Sequence, residues 1–140
     1  MNWYRQSIQK YTPLNAVQRI DAGTLINDVL NLHYGDLDTA EQEESDLPER
    51  IGKHEWYSLK EIPLSRIPYI DSQDSCPFEI REDRVEKLQK MMSQNKSYPP
   101  IVVNSEGEVE DGNHRVFALR GLGANTVWAY VPEKEEKLSG

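Results

Sequence analysis

The stretch Asp111-Gly112-Asn113-His114-Arg115 stands where extended chain hands over to helix, and that junction limits the folds open to this sequence. Upstream, Pro100-Ile101-Val102-Val103 reads as a strand. Asn104-Ser105-Glu106-Gly107 carries turn residues, and Glu108-Val109-Glu110 reads as a short strand pairing back. Downstream, Val116 to Gly121 reads as a short helix, and Gly121-Leu122-Gly123 suits a glycine C-cap. A helix start of this kind attracts anions, because its first N–H groups point outward and its dipole favours negative charge. Gly112 would let a phosphate approach the backbone, and His114 and Arg115 would clamp its oxygens.

Elsewhere the pattern is mixed. Thr12-Pro13 predicts a helix start, with Leu14, Val17 and Ile20 on one apolar face. Leu25, Ile26, Val29, Leu30 and Leu32 continue the pattern to Gly35, so residues 12–35 read as one kinked helix or a helical hairpin. Asp36, Asp38, Glu41, Glu43, Glu44, Asp46 and Glu49 then form an acidic run without a base, either a solvated linker or an acidic face for a basic partner. From Trp56 the texture is α/β. Trp56 to Leu59 reads as a strand, and Ile62 to Ile67 as a second extended piece that Pro63 and Pro68 assign to an edge or turn. Asp83 is expected to cap a helix from Arg84 to about Gln94 that buries Val85, Leu88, Met91 and Met92. Thr126 to Val131 is β-branched and aromatic, a strand that Pro132 ends. The expected organisation is an N-terminal helical extension with an acidic linker over residues 1–50, a domain over 51–132, and a charged tail over 133–140.

Composition narrows the function classes. The chain has 140 residues and a net charge of −8. Its pI is near 4.9 and its mean hydropathy is −0.74. A modest core is expected, and a broad nucleic-acid footprint is disfavoured, since that requires clustered Lys and Arg. The single cysteine, Cys76, excludes an internal disulfide and points to a reducing compartment, the cytoplasm. No secretory leader is expected from Met1-Asn2-Trp3-Tyr4-Arg5-Gln6, and no stretch approaches the ~18 apolar residues of a membrane span. His33, His54 and His114 have no ligand spacing, so no structural zinc site is expected.

The order of these elements over residues 57–131 resembles the ParB/sulfiredoxin superfamily. The likeness runs from Ile62-Pro63-Leu64-Ser65-Arg66-Ile67 through Arg84-Val85-Glu86-Lys87-Leu88 and Pro99-Pro100-Ile101-Val102-Val103. It peaks at Asp111-Gly112-Asn113-His114-Arg115 and closes at Leu122-Gly123-Ala124-Asn125-Thr126-Val127. The resemblance implies an α+β fold, a small mixed sheet with packed helices, and nucleotide phosphates bound at the glycine-to-arginine turn. Sulfiredoxins carry a reactive cysteine between that glycine and the histidine. Asn113 stands there, so sulfinic-acid repair is not expected. Chromosome-partitioning members carry a Gly-Glu-Arg-Arg type of motif and a downstream helix-turn-helix domain, which this sequence does not show. The Asp-Gly-X-His-Arg form is most similar to the free serine kinases of the superfamily, and other relatives are ATPases or DNA nucleases.

The resemblance therefore implies binding of ATP or ADP, or CTP, with Mg2+ arriving on the nucleotide, and phosphoryl transfer to a small-molecule acceptor or nucleotide hydrolysis. Gly112, Asn113, His114 and Arg115 are the expected phosphate contacts. By similarity Arg84 and Lys87 join them from one helical face, making a local positive pocket on an acidic protein. Asp111 is read as a helix cap, a metal ligand or a base; His114 as a phosphate contact or a catalytic group. A base acting on the acceptor hydroxyl is sought among Asp71, Asp74, Glu79, Glu82 and Asp83. Glu79 is favoured, because Pro77 and Phe78 could pack and fix it, and Cys76 is expected to be inert. The alternative from another class is a non-catalytic regulator that binds a protein partner through the N-terminal helices or the acidic run, with Trp3, Tyr4 and Trp56 as core or interface. A ParB-like nuclease or DNA-binding module comes third.

Overall fold

Alternation along residues 56–63, 101–103 and 126–132 sends side chains to both faces of one sheet, and each face has its own apolar cover. The structure, a computed structural model, describes residues 10–31, 46–67 and 80–134. In chain order the elements are β1 (Thr12–Pro13), β2 (Arg19–Asp21), α1 (Ala22–Leu30), α2 (Leu47–Ile51), β3 (Trp56–Pro63), a 3-10 turn (Leu64–Arg66), α3 (Glu82–Asn95), β4 (Ser97–Tyr98), β5 (Ile101–Val103), β6 (Val109–Asp111), α4 (Asn113–Gly121) and β7 (Thr126–Pro132). The fold class is α+β.

Five strands form a mixed sheet in the order β2-β3-β7-β5-β6. Only β5 and β7 run parallel, with Ile101 opposite Ala129; the other neighbours are antiparallel. Ile101, Val103, Val127 and Ala129 face α3 and α4, where Leu88, Met92, Val116, Phe117 and Leu119 complete the larger core. On the opposite face Tyr57, Leu59, Val102 and Tyr130 meet Leu25 and Val29 of α1 and Leu47 and Ile51 of α2. Arg50 ties α2 to the sheet by pairing with Glu110 on β6, and it also pairs with Asp46. No described helix is long and apolar enough to cross a membrane.

The N-terminal segment departs from expectation. Residues 12–21 are not helical. Thr12 and Pro13 pair in parallel with Ser97 and Tyr98, and Arg19 to Asp21 form an edge strand on β3. Of the supposed apolar face, only Ile20 is buried; Leu14 is 36% and Val17 52% exposed. The helix starts at Ala22, capped by Asp21, whose carboxylate accepts from the Thr24 amide at 3.0 Å and from its hydroxyl at 2.7 Å. Residues 12–30 thus supply an edge strand and a covering helix to the sheet rather than a separate helical extension.

Other differences are smaller. The two extended pieces expected around Trp56 and Ile62 are one strand, and Leu64–Arg66 turn as a 3-10 helix. Pro63 sits beyond the reach of β2, which pairs only with residues 56–58, so no neighbour there requires its missing N–H. Trp56 is half-buried, with the Arg19 guanidinium 3.8 Å above its ring. Helix α3 begins at Glu82 and ends on Lys96 in the left-handed conformation at φ 54°. Trp3, Tyr4, His33, Cys76 and most of the acidic run fall outside the described residues; of that run, Asp46 and Glu49 remain, flanking Leu47 at the start of α2.

Leu88 is 0% exposed between α3 and α4. Leu88→Ala should destabilise the fold by about 3 kcal/mol, read from urea unfolding. The Tyr57 hydroxyl donates to Ile51 O at 2.6 Å, and burial, with a smaller effect of Glu110, pushes its pKa up to about 12. An unfolded tyrosine ionises near 10. Between those values the unfolded chain binds fewer protons, so this contribution is intact below about pH 10 and is lost as pH rises through about 12. Tyr57→Phe should therefore flatten the alkaline fall of the urea midpoint.

Candidate functional site

The β6–α4 junction is built around a steric constraint. Asn104 closes the β5–β6 turn, its Oδ1 accepting from the Glu106 and Glu108 amides at 2.9 and 3.0 Å. The returning strand ends at Asp111, and Gly112 turns the chain at φ 111° into α4. A Cβ at Gly112 would lie 2.8 Å from Ile101 Cβ and closer still to its Cγ2. Glycine is required here by backbone conformation and by the strand packed beneath it. As the N-cap residue it contributes no capping side chain to α4.

Arg115 is placed by the fold, not by the surface. Its guanidinium is 0% exposed. Nη1 donates to Pro99 O at 2.5 Å and Pro100 O at 2.9 Å, and Nη2 donates to Asp111 Oδ2 at 2.8 Å. The pair has the i,i+4 spacing of helical neighbours, but Asp111 belongs to the strand and is itself buried. Two expectations change. Arg115 holds β6, α4 and the Pro99-Pro100 segment together instead of clamping a phosphate oxygen. Asp111 does not stand as a solvent-facing base, because its carboxylate is buried and neutralises a buried cation.

His114 links two helices. Its Nε2 accepts the Arg81 amide proton at 3.1 Å, so in the neutral ring the proton sits on Nδ1. Arg81 is the N-cap residue of α3, with extended φ and ψ of −92° and 115° and no side-chain cap bond. The contact therefore brings the N-terminus of α3 against that of α4. Asp83, expected as the cap, lies in the first turn. It is held by the Arg81 side chain at 3.1 Å, and that bond keeps its pKa below the usual carboxylate value. Asn113, the first residue of α4, is half-buried; Arg84 is half-buried in the first turn of α3, and Lys87 is exposed one turn on. Glu79, Asp71, Asp74 and Cys76 lie outside the described residues.

Sequence reasoning overlooked Arg81 and the prolyl carbonyls of Pro99 and Pro100. The Asp111–Arg115 ion pair was detectable from its spacing. The carbonyl contacts carry no local signal.

No family model matches this chain, and no curated protein matches it. Among solved structures, it is similar to the crystal structure of sulfiredoxin from Arabidopsis thaliana. The TM-score is 0.42 and the identity 22%, over 54% of this chain and 85% of that one. What the chain can bind rests on the geometry of its own residues.

Arg115→Ala leaves Asp111 buried without its partner and should cost about 3–5 kcal/mol in urea unfolding. The double variant Asp111→Leu/Arg115→Met should recover a large part of that loss, since a buried pair replaced by apolar groups of similar volume is often neutral. Gly112→Ala should be destabilising by more than the ~1 kcal/mol of an ordinary left-handed alanine, because Ile101 must also move.

Proposed function

We propose that the α3–α4 junction binds a phosphate-bearing ligand, with ATP or ADP as the first candidates. The observation that carries this reading is the meeting of two helix N-termini at the Arg81–His114 contact. Each terminus presents partial positive charge, and the two reinforce one another at a spot where a phosphate needs donors. Asn113, the first residue of α4, would donate to a phosphate oxygen. Along the start of α3, Arg81, Arg84 and Lys87 offset the acids Glu82, Asp83 and Glu86, so on a protein at −8 this stretch is locally neutral and the helix termini supply the attraction. His114 acts by fixing the two helices together, and Arg115 by keeping the junction in shape.

If the ligand reacts, the chemistry is phosphoryl transfer or nucleotide hydrolysis, driven by positioning and charge stabilisation. Magnesium would travel with the nucleotide and help neutralise its phosphates. A second reading, binding without turnover, is favoured by one observation: the carboxylate of Asp111 and the Nε2 of His114 are both engaged within the fold.

Titration calorimetry with ATP, ADP and CTP, with and without magnesium, tests the site. Binding should weaken at least about tenfold in Asn113→Asp, which sets a negative charge at the helix start, and in Arg84→Glu. Both variants should keep the unfolding midpoint near that of the parent chain. Equal affinity in all three proteins would overturn the assignment. Release of phosphate from bound ATP separates turnover from binding alone.

A further inference from the structure

A cavity of about 460 Å3 lies between α1, the residue 14–15 turn and the Pro99-Pro100 segment. It is within the ~300–1,000 Å3 range of small-molecule sites. Leu25, Val29, Pro99 and Pro100 give it apolar walls, and Leu14 stands beside them. Leu14 is 36% exposed although its segment is firmly held. Its amide donates to Tyr98 O at 2.8 Å. Farther along, the Val17 amide donates to the Tyr130 hydroxyl at 3.0 Å, and that hydroxyl donates to Val17 O at 3.2 Å. Leu59 donates to Gln18 O at 2.9 Å. A pinned loop thus presents an apolar side chain to a preformed cavity.

The charge of the lining has one sign. Asp28 and Asp111 are its ionisable acids, and among the described residues no lysine, arginine or histidine lines it. Asp111 is matched by Arg115 behind the wall, so among the described residues Asp28 supplies the uncompensated charge. Asn15, Asn31 and Tyr130 complete a lining that is half polar, and its one such carboxylate does not suit a hydrated divalent ion, which takes several oxygen ligands. The apolar half beside that carboxylate suits a cation that carries its own apolar stem.

We propose that this cavity binds a small organic cation of the alkylammonium class. Its ammonium group faces Asp28, and its stem lies against Leu14, Leu25 and Val29. The proposal does not depend on the anion site at the α3–α4 junction.

The test is a titration of the isotope-labelled full chain, without nucleotide, with n-butylammonium and separately with butyrate. The expected result is saturable movement of the amide resonances of Asn15 and of Leu25 to Asn31 with n-butylammonium and none with butyrate. Asp28→Asn, a change at an exposed position, should weaken n-butylammonium about tenfold. Leu14→Ser should weaken it severalfold through loss of stem contact. Thermal midpoints of both variants close to the parent's show that they are folded. Equal response to butyrate, no saturable response, or an unchanged affinity in folded Asp28→Asn would overturn the proposal.

Discussion

A guanidinium at 0% exposure sits where three segments of chain meet, and its donors are what allow them to meet there. Arg115 reaches the carbonyls of Pro99 and Pro100, which sit between two strands and do not donate amide protons of their own. It also neutralises Asp111 at the end of β6. Without it, two carbonyls and a carboxylate would lie in a low-dielectric interior with one partner fewer, a cost that apolar packing alone does not offset. The path of β5, the turn at Gly112 and the direction of α4 all follow from satisfying those atoms. The candidate ligand site is therefore a surface feature of a junction whose interior is fixed by an ion pair.

The sheet needs cover on two sides, and the chain supplies it unevenly. The α3–α4 face is covered by the fourteen-residue α3 and the nine-residue α4, and the opposite face by the nine-residue α1 and the five-residue α2. The cavity beside Asp28 lies on the side with the shorter cover.

Helices α3 and α4 and strands β5, β6 and β7 are readable from the sequence, and β1 and β2 are not. Helix α3 follows from Leu88 and Met92 at four-residue spacing, and β7 from its β-branched and aromatic run. The segment 12–21 was misread because Leu14, Val17 and Ile20 fall three apart. Its strands of two and three residues are too short to show alternation, and their pairing is decided by partners far away in sequence. At the site, the need for glycine at 112 was visible, but its steric cause, Ile101, was not. Arg115 was visible as a cation, but its burial depends on carbonyls of Pro99 and Pro100 whose orientation only the assembled sheet sets.

The parallel pairing of Thr12 with Ser97 has a consequence for synthesis. The partner of the first described strand is made more than eighty residues after it. The edge strand at Arg19 waits for Trp56 to Ser58, and Val17 waits for Tyr130. Long-range pairings of this kind close late, since loop entropy must be overcome before the contacts form. Thr12 and Val17 therefore lack their partners until Ser97 and Tyr130 have been made, and the cavity wall to which Leu14, Pro99 and Tyr130 contribute cannot form before then.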